Sequence, residues 1–365
     1  MLHFTPTAEQ EEIRHLARSI ANEQMRPQAR ASEKNGDISP TLTQILTQTG
    51  LTTPFPEVYG GSGSIEAITY ALIAEEFGFG DGGLAINSIG SLMGPLTVAL
   101  AGSPYQQEQY IRPFCSPDTG HMQRGSFAFA ERTGGYSLAD ISATASQTGD
   151  NYILNGTKRN VLHGAHSSPR VALFRLVGEE GPGGLCAFVL PDQLAGLQIT
   201  LDSEKLGLLA APSASYTFTN AIIPASAMLG EPGQQGVLRA VALSMILRAG
   251  MACGTVRAAL EYASAYAKER IAFGRPIVSY QGIAFILAEM AMKLDAARLL
   301  LWKAAVDWDS DVDLESLLRT TEAAQQQALT LGKAATIDAV QVLGGAGFMQ
   351  DHPVEMWMRN AAAME

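Results

Sequence analysis

Three long stretches in the last third of the chain, residues 236–267, 281–308 and 314–343, repeat apolar side chains every three to four positions. This pattern limits the fold more than any other feature. In the second stretch Ile283, Ile286, Leu287, Met290, Leu294, Ala297 and Leu301 share one stripe. A helical period held over about 25–30 residues predicts a bundle of long antiparallel helices.

The pattern changes twice upstream. Residues 125–228 shorten to strand-length runs: Gly125-Ser126-Phe127-Ala128-Phe129-Ala130, then 170–177, 185–190 and 215–218. Short strands at this spacing predict a small antiparallel barrel or sandwich. Within Tyr152-Ile153-Leu154-Asn155-Gly156-Thr157-Lys158, the Asn-Gly pair predicts a hairpin turn. The first third is helical again, with Ile13, Leu16, Ala17 and Ile20 on one face. Residues 65–77 form a second helix that ends at Gly78. Residues 84–101 are apolar nearly all round, which predicts a buried helix. Pro40, Pro54, Pro56, Gly60, Gly61 and Gly63 mark turns. The expected fold is mostly α with a central β domain. It divides into an N-terminal helical domain (1–122), a β domain (123–228) and a C-terminal four-helix-type bundle domain (229–365).

Composition removes several function classes. The 365 residues hold 36 Asp+Glu against 25 Lys+Arg, a net charge of −11, which argues against nucleic acid as a partner. With 47% hydrophobic and 17% charged residues, the chain is too apolar to be disordered. It has no unbroken apolar run of about 18 residues, so no membrane partner is expected. The start, Met1-Leu2-His3-Phe4, lacks the basic and apolar regions of a secretory signal. Cys115, Cys186 and Cys253 lie far apart and form no C-x-x-C pair. Buried reduced thiols in a cytoplasmic protein are expected.

Gly78-Phe79-Gly80-Asp81-Gly82-Gly83 matches the dinucleotide-binding spacing, but a helix precedes it where that motif needs a strand. It is read as a helix C-terminal turn. Of six histidines only His163 and His166 are near neighbours, and nothing completes a metal ligand set.

The most informative stretch is Tyr266-Ala267-Lys268-Glu269-Arg270-Ile271-Ala272-Phe273-Gly274-Arg275-Pro276-Ile277, followed by Tyr280-Gln281. Near the end stand Gln341-Val342-Leu343-Gly344-Gly345-Ala346-Gly347-Phe348 and Pro353-Val354-Glu355 with Arg359. Upstream are Pro56-Glu57-Val58-Tyr59-Gly60-Gly61-Ser62-Gly63, then Glu131 with Gly135, then Phe218, Pro224 and Leu229-Gly230. In order and spacing, nearly end to end, these motifs resemble the acyl-CoA dehydrogenases, flavoenzymes that oxidise the Cα–Cβ bond of acyl-CoA thioesters. The resemblance implies FAD as cofactor, acyl-CoA as substrate, and a dimer or tetramer whose FAD sites are shared between neighbouring chains.

One half of such a shared site is intact. By resemblance Arg270 pairs with the FAD pyrophosphate, as a planar guanidinium suits. Phe273 is an apolar cofactor contact and Gln281 and Gln341 are polar ones. Gly344 and Gly345 allow close backbone approach. Read without the resemblance, Arg270 makes an ordinary helix salt bridge and the glycines end a helix.

The flavin-holding half departs from the pattern. Ala130 stands where the family's T-E-P-x-A-G-S-D segment has its threonine, Arg132 replaces the proline, and Tyr136 and Ser137 replace serine and aspartate. In Lys158-Arg159-Asn160-Val161-Leu162-His163-Gly164, matching K-x-W-I-T-N-G, Asn160 replaces the stacking Trp and Leu162 the hydroxyl.

No catalytic base is identified. The resemblance places the usual Glu about three residues past Glu365, itself a weak off-register candidate. The less common position, one helix earlier, holds Ser244; the arginine beside it is replaced by Met245, with Arg248 one turn on. Three functions follow. The first is the base-lacking partner chain of a heteromeric acyl-CoA dehydrogenase, assembled with a homologous subunit. The second is a self-sufficient dehydrogenase with its base off register or past residue 365. The third is a flavoprotein relative with other chemistry.

Overall fold

A computed structural model describes residues 5–63, 65–132, 137–310 and 312–365. The chain opens with α1 (Ala8–Ile20), a π-helical turn (Ala21–Met25), α2 (Arg26–Asn35) and α3 (Pro40–Gln48). Thr7 starts α1 through a reciprocal cap: its hydroxyl accepts from the Gln10 amide at 3.2 Å, and the Gln10 side chain accepts from the Thr7 amide at 2.9 Å. Then come α4 (Ala67–Gly80), α5 (Gly82–Gly90), α6 (Met93–Ala101) and α7 (Pro104–Ile111).

Here the sequence reading needs three corrections. The single helix expected over 84–101 is two, α5 and α6, separated by a turn at Ser91–Leu92. The Gly78–Gly83 run is not one turn: α4 runs on to Gly80, and Asp81 caps α5 by accepting from the Leu84 amide at 2.9 Å. Third, Gly82–Ala101 and Gln235–Glu269 are long and apolar enough to cross a membrane by length and composition, although unbroken apolar runs are absent. In this fold 83% and 78% of their most apolar windows are buried, as core segments.

The middle sheet has seven strands: β1 (Ser126–Ala128), β2 (Thr144–Thr148), β3 (Asn151–Leu162), β4 (Arg170–Leu176), β5 (Leu185–Leu190), β6 (Leu197–Leu201) and β7 (Ser213–Pro224). The order is β1-β4-β2-β3-β7-β6, with β5 also paired to β4. Pairing is antiparallel except that β4 runs parallel to β1 and β2. Side chains of β4 alternate between two cores. Val171 and Leu173 face the helices, whereas Phe174 joins Tyr152, Phe188, Tyr216 and Phe218 on the other face. A strand buried on both faces explains the uninterrupted apolar run Val171-Ala172-Leu173-Phe174. Asn155-Gly156 is not the expected turn. It lies inside β3, where the register with β7 shifts between Leu154 and Gly156. The chain reverses instead at Gly149–Asp150, between β2 and β3.

The last third contains α8 (Gln235–Glu269), the small β8 (Ile271–Ala272) and β9 (Arg275–Pro276) ribbon, α9 (Gln281–Asp309), α10 (Leu314–Leu343) and α11 (Val354–Met364). The 35-residue α8 is the central helix, buried against α4, α6, α9 and α10. Glu75 and Glu76 of α4 meet Arg257 of α8 there, and Arg298 of α9 donates to Glu75 at 2.9 Å.

Candidate active site

Two separate places collect the residues that the sequence singles out. The first is one end of the bundle. Because α8, α9 and α10 alternate in direction, the end of α8, the start of α9 and the end of α10 lie together. Between α8 and α9, β8 and β9 close on the two-residue turn Phe273–Gly274, with φ of 53° and 83°. Positive φ at both turn residues is the twist that short hairpins favour. The Tyr280 hydroxyl clamps this ribbon by donating to the Ala272 carbonyl at 2.9 Å, and the Arg275 guanidinium lies 4.1 Å from the Tyr280 ring centroid. Phe273 therefore stands at the tip of a clamped ribbon and is 97% exposed. Arg270, Gln281, Gln341, Gly344 and Gly345 are exposed at the same end. Among the described residues Arg270 has no ion-pair partner, so it is not an ordinary helix salt bridge. A Cβ at Gly344 or Gly345 would meet open space, so both backbones can be approached closely. A guanidinium, two carboxamides and open glycine backbone can together hold a diphosphate.

The second place is a cleft where α5, α6, α8 and α10 meet the sheet. Ala130 and Asn160 line it with Leu162, Ser244, Arg248 and Gln325. A register shift between Lys158 and Val161 against β7 puts Asn160 into the left-handed region at φ 53°. Leu162 fills space beside α5: a Cβ on Gly90 would stand 2.7 Å from its Cδ2. Behind the cleft Lys158 and Glu131, 0% and 7% exposed, pair at 2.6 Å. Glu131 also accepts from the Ser142 amide at 2.7 Å and the Ala143 amide at 3.0 Å. Burial pushes Lys158 down to about 8, partly offset by the Glu131 charge. Burial raises Glu131, but the Lys158 charge and the donated hydrogen bonds outweigh it and hold the carboxyl below its ordinary value. The frame behind the cleft is thus fully satisfied, while its walls carry Ala130, Asn160 and Leu162.

Ser244 lines the cleft, its hydroxyl donating to the Val241 carbonyl at 2.7 Å. Arg248, one turn along α8, donates to the Met364 carbonyl at 2.8 Å and ties α11 to the cleft. Glu365 lies elsewhere, paired with Lys333 at 2.6 Å. Tyr136 and Gly135 fall outside the described residues. His163 sits behind the cleft, its Nε2 3.2 Å from the Asn87 carboxamide oxygen. Among the described residues no cluster of three or more His, Cys, Asp or Glu could hold a metal ion. The sequence reading missed Gln325 and the Lys158–Glu131 pair. Gln325 had a signal: it occupies the apolar stripe of α10 set by Leu318, Thr321 and Ala328.

Solved structures share this fold. Butyryl-CoA dehydrogenase from Megasphaera elsdenii superposes with a TM-score of 0.83 at 27% identity, covering 100% of this chain and 95% of that one. The structure of PigA with FAD and proline has the same fold, with a TM-score of 0.83 at 22% identity over 100% of this chain and 94% of its own. Family models of the acyl-CoA dehydrogenase N-terminal, middle and C-terminal domains match residues 7–118, 126–221 and 233–365. An acyl-CoA dehydrogenase of Bacillus subtilis (strain 168) is 33% identical over 97% of this chain and 93% of its own length. A probable acyl-CoA dehydrogenase of the same strain is 31% identical over 100% and 95%. The chain belongs to the acyl-CoA dehydrogenase family, oxidoreductases acting on CH–CH bonds.

Proposed function

We propose that this chain takes part in FAD-dependent α,β-dehydrogenation of an acyl-CoA thioester as the base-lacking partner of a cytoplasmic heteromeric enzyme. The observation that carries the reading is the contrast between the two places. The bundle end presents Arg270, Phe273, Gln281, Gln341, Gly344 and Gly345 outward, whereas the cleft offers no carboxylate among its described lining residues.

The reaction removes a proton from Cα and a hydride from Cβ, and FAD supplies the acceptor for the hydride. The proton needs a base held beside Cα. Ser244 is poorly suited, since an un-ionised hydroxyl already donating to a carbonyl has no base next to it. The cleft encloses ≈80 Å³, against about 300–1,000 Å³ for a ligand pocket, and neither Ala130 nor Leu162 offers a hydrogen-bonding side chain. An isoalloxazine ring does not fit there. The bundle end does fit the phosphate side of a neighbour's FAD: Arg270 for the diphosphate, Gln281 and Gln341 for polar edges, Phe273 for an apolar contact, Gly344 and Gly345 for close approach. In this reading the chain donates groups to a neighbouring catalytic chain, which supplies the base and the ring pocket.

Flavin absorbance and assembly mass, measured for the chain alone and after co-expression with a catalytic homologue, test this. Little flavin alone, and stoichiometric flavin with acyl-CoA-dependent reduction in the mixed assembly, is the expected result. A lone chain that binds one FAD per protomer and reduces it with acyl-CoA is instead a self-sufficient dehydrogenase. Bound flavin that acyl-CoA does not reduce identifies a relative with other chemistry.

A further inference from the structure

The bundle end is made of two pieces that are not joined in sequence. One is the ribbon after α8, residues 270–281; the other is residues 344–353, between α10 and α11. The second piece carries no regular element beyond the short Gly344–Ala346 turn, and Phe348 and Met349 stand exposed on it. Successive turn bonds run along it. The Gly347 amide donates to the Gly344 carbonyl at 2.9 Å, Met349 to Ala346 at 3.1 Å, and His352 to Met349 at 3.1 Å. His352 is where this piece meets α8. Its Nδ1 shares a 2.7 Å hydrogen bond with the Tyr262 hydroxyl, and its ring lies edge-on to Tyr262 and Tyr266, with centroids 5.9 and 5.8 Å away. Burial raises the Tyr262 phenol, which keeps its proton. One turn further along α8, the Arg270 amide donates to the Tyr266 carbonyl at 2.8 Å.

We propose that Tyr262 and His352 are positioning residues that hold the Gly344–Gly345 backbone in register with Arg270, so that both pieces meet a neighbour's FAD together. This deepens the partner-chain reading and rests on it. Two pieces that grip one ligand add their contacts fully only if their spacing is fixed beforehand, because ordering a loose piece on binding lowers affinity. The ribbon is fixed by the Tyr280 clamp. Residues 344–353 are fixed from two sides. Arg30 of α2 donates to the Gln350 and His352 carbonyls at 3.3 and 3.0 Å, whereas Tyr262 ties the piece to the helix that carries Arg270. A hydroxyl–imidazole bond is directional, so it sets spacing more narrowly than ring packing does.

Hydrogen exchange of the lone chain and flavin retention in the co-purified assembly test this. Tyr262→Phe removes the hydroxyl and keeps the ring. Amides of residues 344–352 should then exchange about fivefold faster, with α9 unchanged, and the assembly should hold flavin about fivefold more weakly. His352→Leu should do the same. His352→Asn, whose carboxamide can donate or accept close to where Nδ1 stood, should stay within about twofold of the parent in both measurements. Faster exchange with parental flavin retention makes the bond a structural tether only and overturns the proposal, as does unchanged exchange in both Tyr262→Phe and His352→Leu. Arg270→Met separates the proposal from the reading beneath it. Flavin lost from Arg270→Met but kept by Tyr262→Phe leaves the partner-chain reading standing and removes the positioning role. Flavin kept by Arg270→Met removes that reading and the proposal with it. Should Tyr262→Phe fold poorly, the contrast of His352→Leu with His352→Asn decides alone.

Discussion

His163 shows how the surroundings of one buried side chain set its charge. Its backbone is left-handed at φ 52°, a conformation that Asn tolerates best after Gly, and the family motif K-x-W-I-T-N-G has Asn at this position. The ring is buried against Asn87, which in turn donates to the Asp37 carboxylate at 2.7 Å and the Ala210 carbonyl at 2.6 Å. Burial, then the nearby Arg124 charge, pushes the imidazole from 6.5 down to about 4, opposed by Asp37. The sign follows directly. Between those values the unfolded chain binds a proton that the folded chain does not, so stability is full above about pH 6.5 and falls as pH drops towards 4. The loss should reach up to about 3 kcal/mol. Urea denaturation at pH 7, 5 and 4 should show this slope, and His163→Asn should flatten it. An unchanged slope in His163→Asn would assign the acid sensitivity to other groups. That His163 departs from the motif is legible in the sequence; that its ring is buried and contacts Asn87 of α5 is not.

Among elements, the contact between α4 and α8 is one of close backbone approach. A Cβ on Gly254 would lie 2.0 Å from the Glu75 carbonyl oxygen, and one on Gly78 would lie 2.1 Å from that of Met251. At these points the two backbones touch with no side chain between them. Gly254→Ala must therefore push helices apart inside a buried core, and the expected loss is about 3 kcal/mol or more, at the upper end for overpacking. Gly282→Ala, on the exposed first turn of α9 with open space around it, should be neutral or slightly stabilising. Thermal unfolding of both variants checks the contrast; equal midpoints would mean that α4 and α8 can separate freely. The same physics separates what was readable from what was not. Long periodic helices were legible almost to their ends, with α10 spanning residues 314–343 as expected. Asn155-Gly156 misled because glycine has two uses. Gly156, at φ 131°, serves a bulge, where a Cβ would stand 2.6 Å from that of Ala143, rather than a reversal. The break between α5 and α6 had a signal that the apolar run obscured: Gly90-Ser91 at the end of α5 and Gly94-Pro95 in the first turn of α6.

At the scale of the molecule, sequence motifs revealed the bundle end and concealed the cleft's composition. Arg270, Phe273, Gln281 and Gln341 are read from short motifs, and the alternation of three long helices is enough to bring them together. The cleft is assembled from α5, α6, β3, α8 and α10, so the absence of carboxylates among its described lining residues is a property of packing that no local window contains. The division between an outward set and an inward cleft leads to the last prediction. Arg270 is exposed and unpaired among the described residues, so Arg270→Met should change the stability of the lone chain by no more than about 0.5 kcal/mol. In a co-purified assembly the same variant should leave a neighbour's FAD diphosphate without its guanidinium. A charge-assisted bond of about 1.5–3 kcal/mol corresponds to a roughly 10- to 100-fold weaker hold on flavin. Arg270→Lys keeps the charge but loses the planar fork, and should fall between parent and Met. Flavin retained through gel filtration, measured by absorbance per catalytic chain, reads all three. Graded loss with unchanged melting of the lone chain places Arg270 on the neighbour's cofactor, whereas full retention by Arg270→Met would remove the bundle end from the shared site.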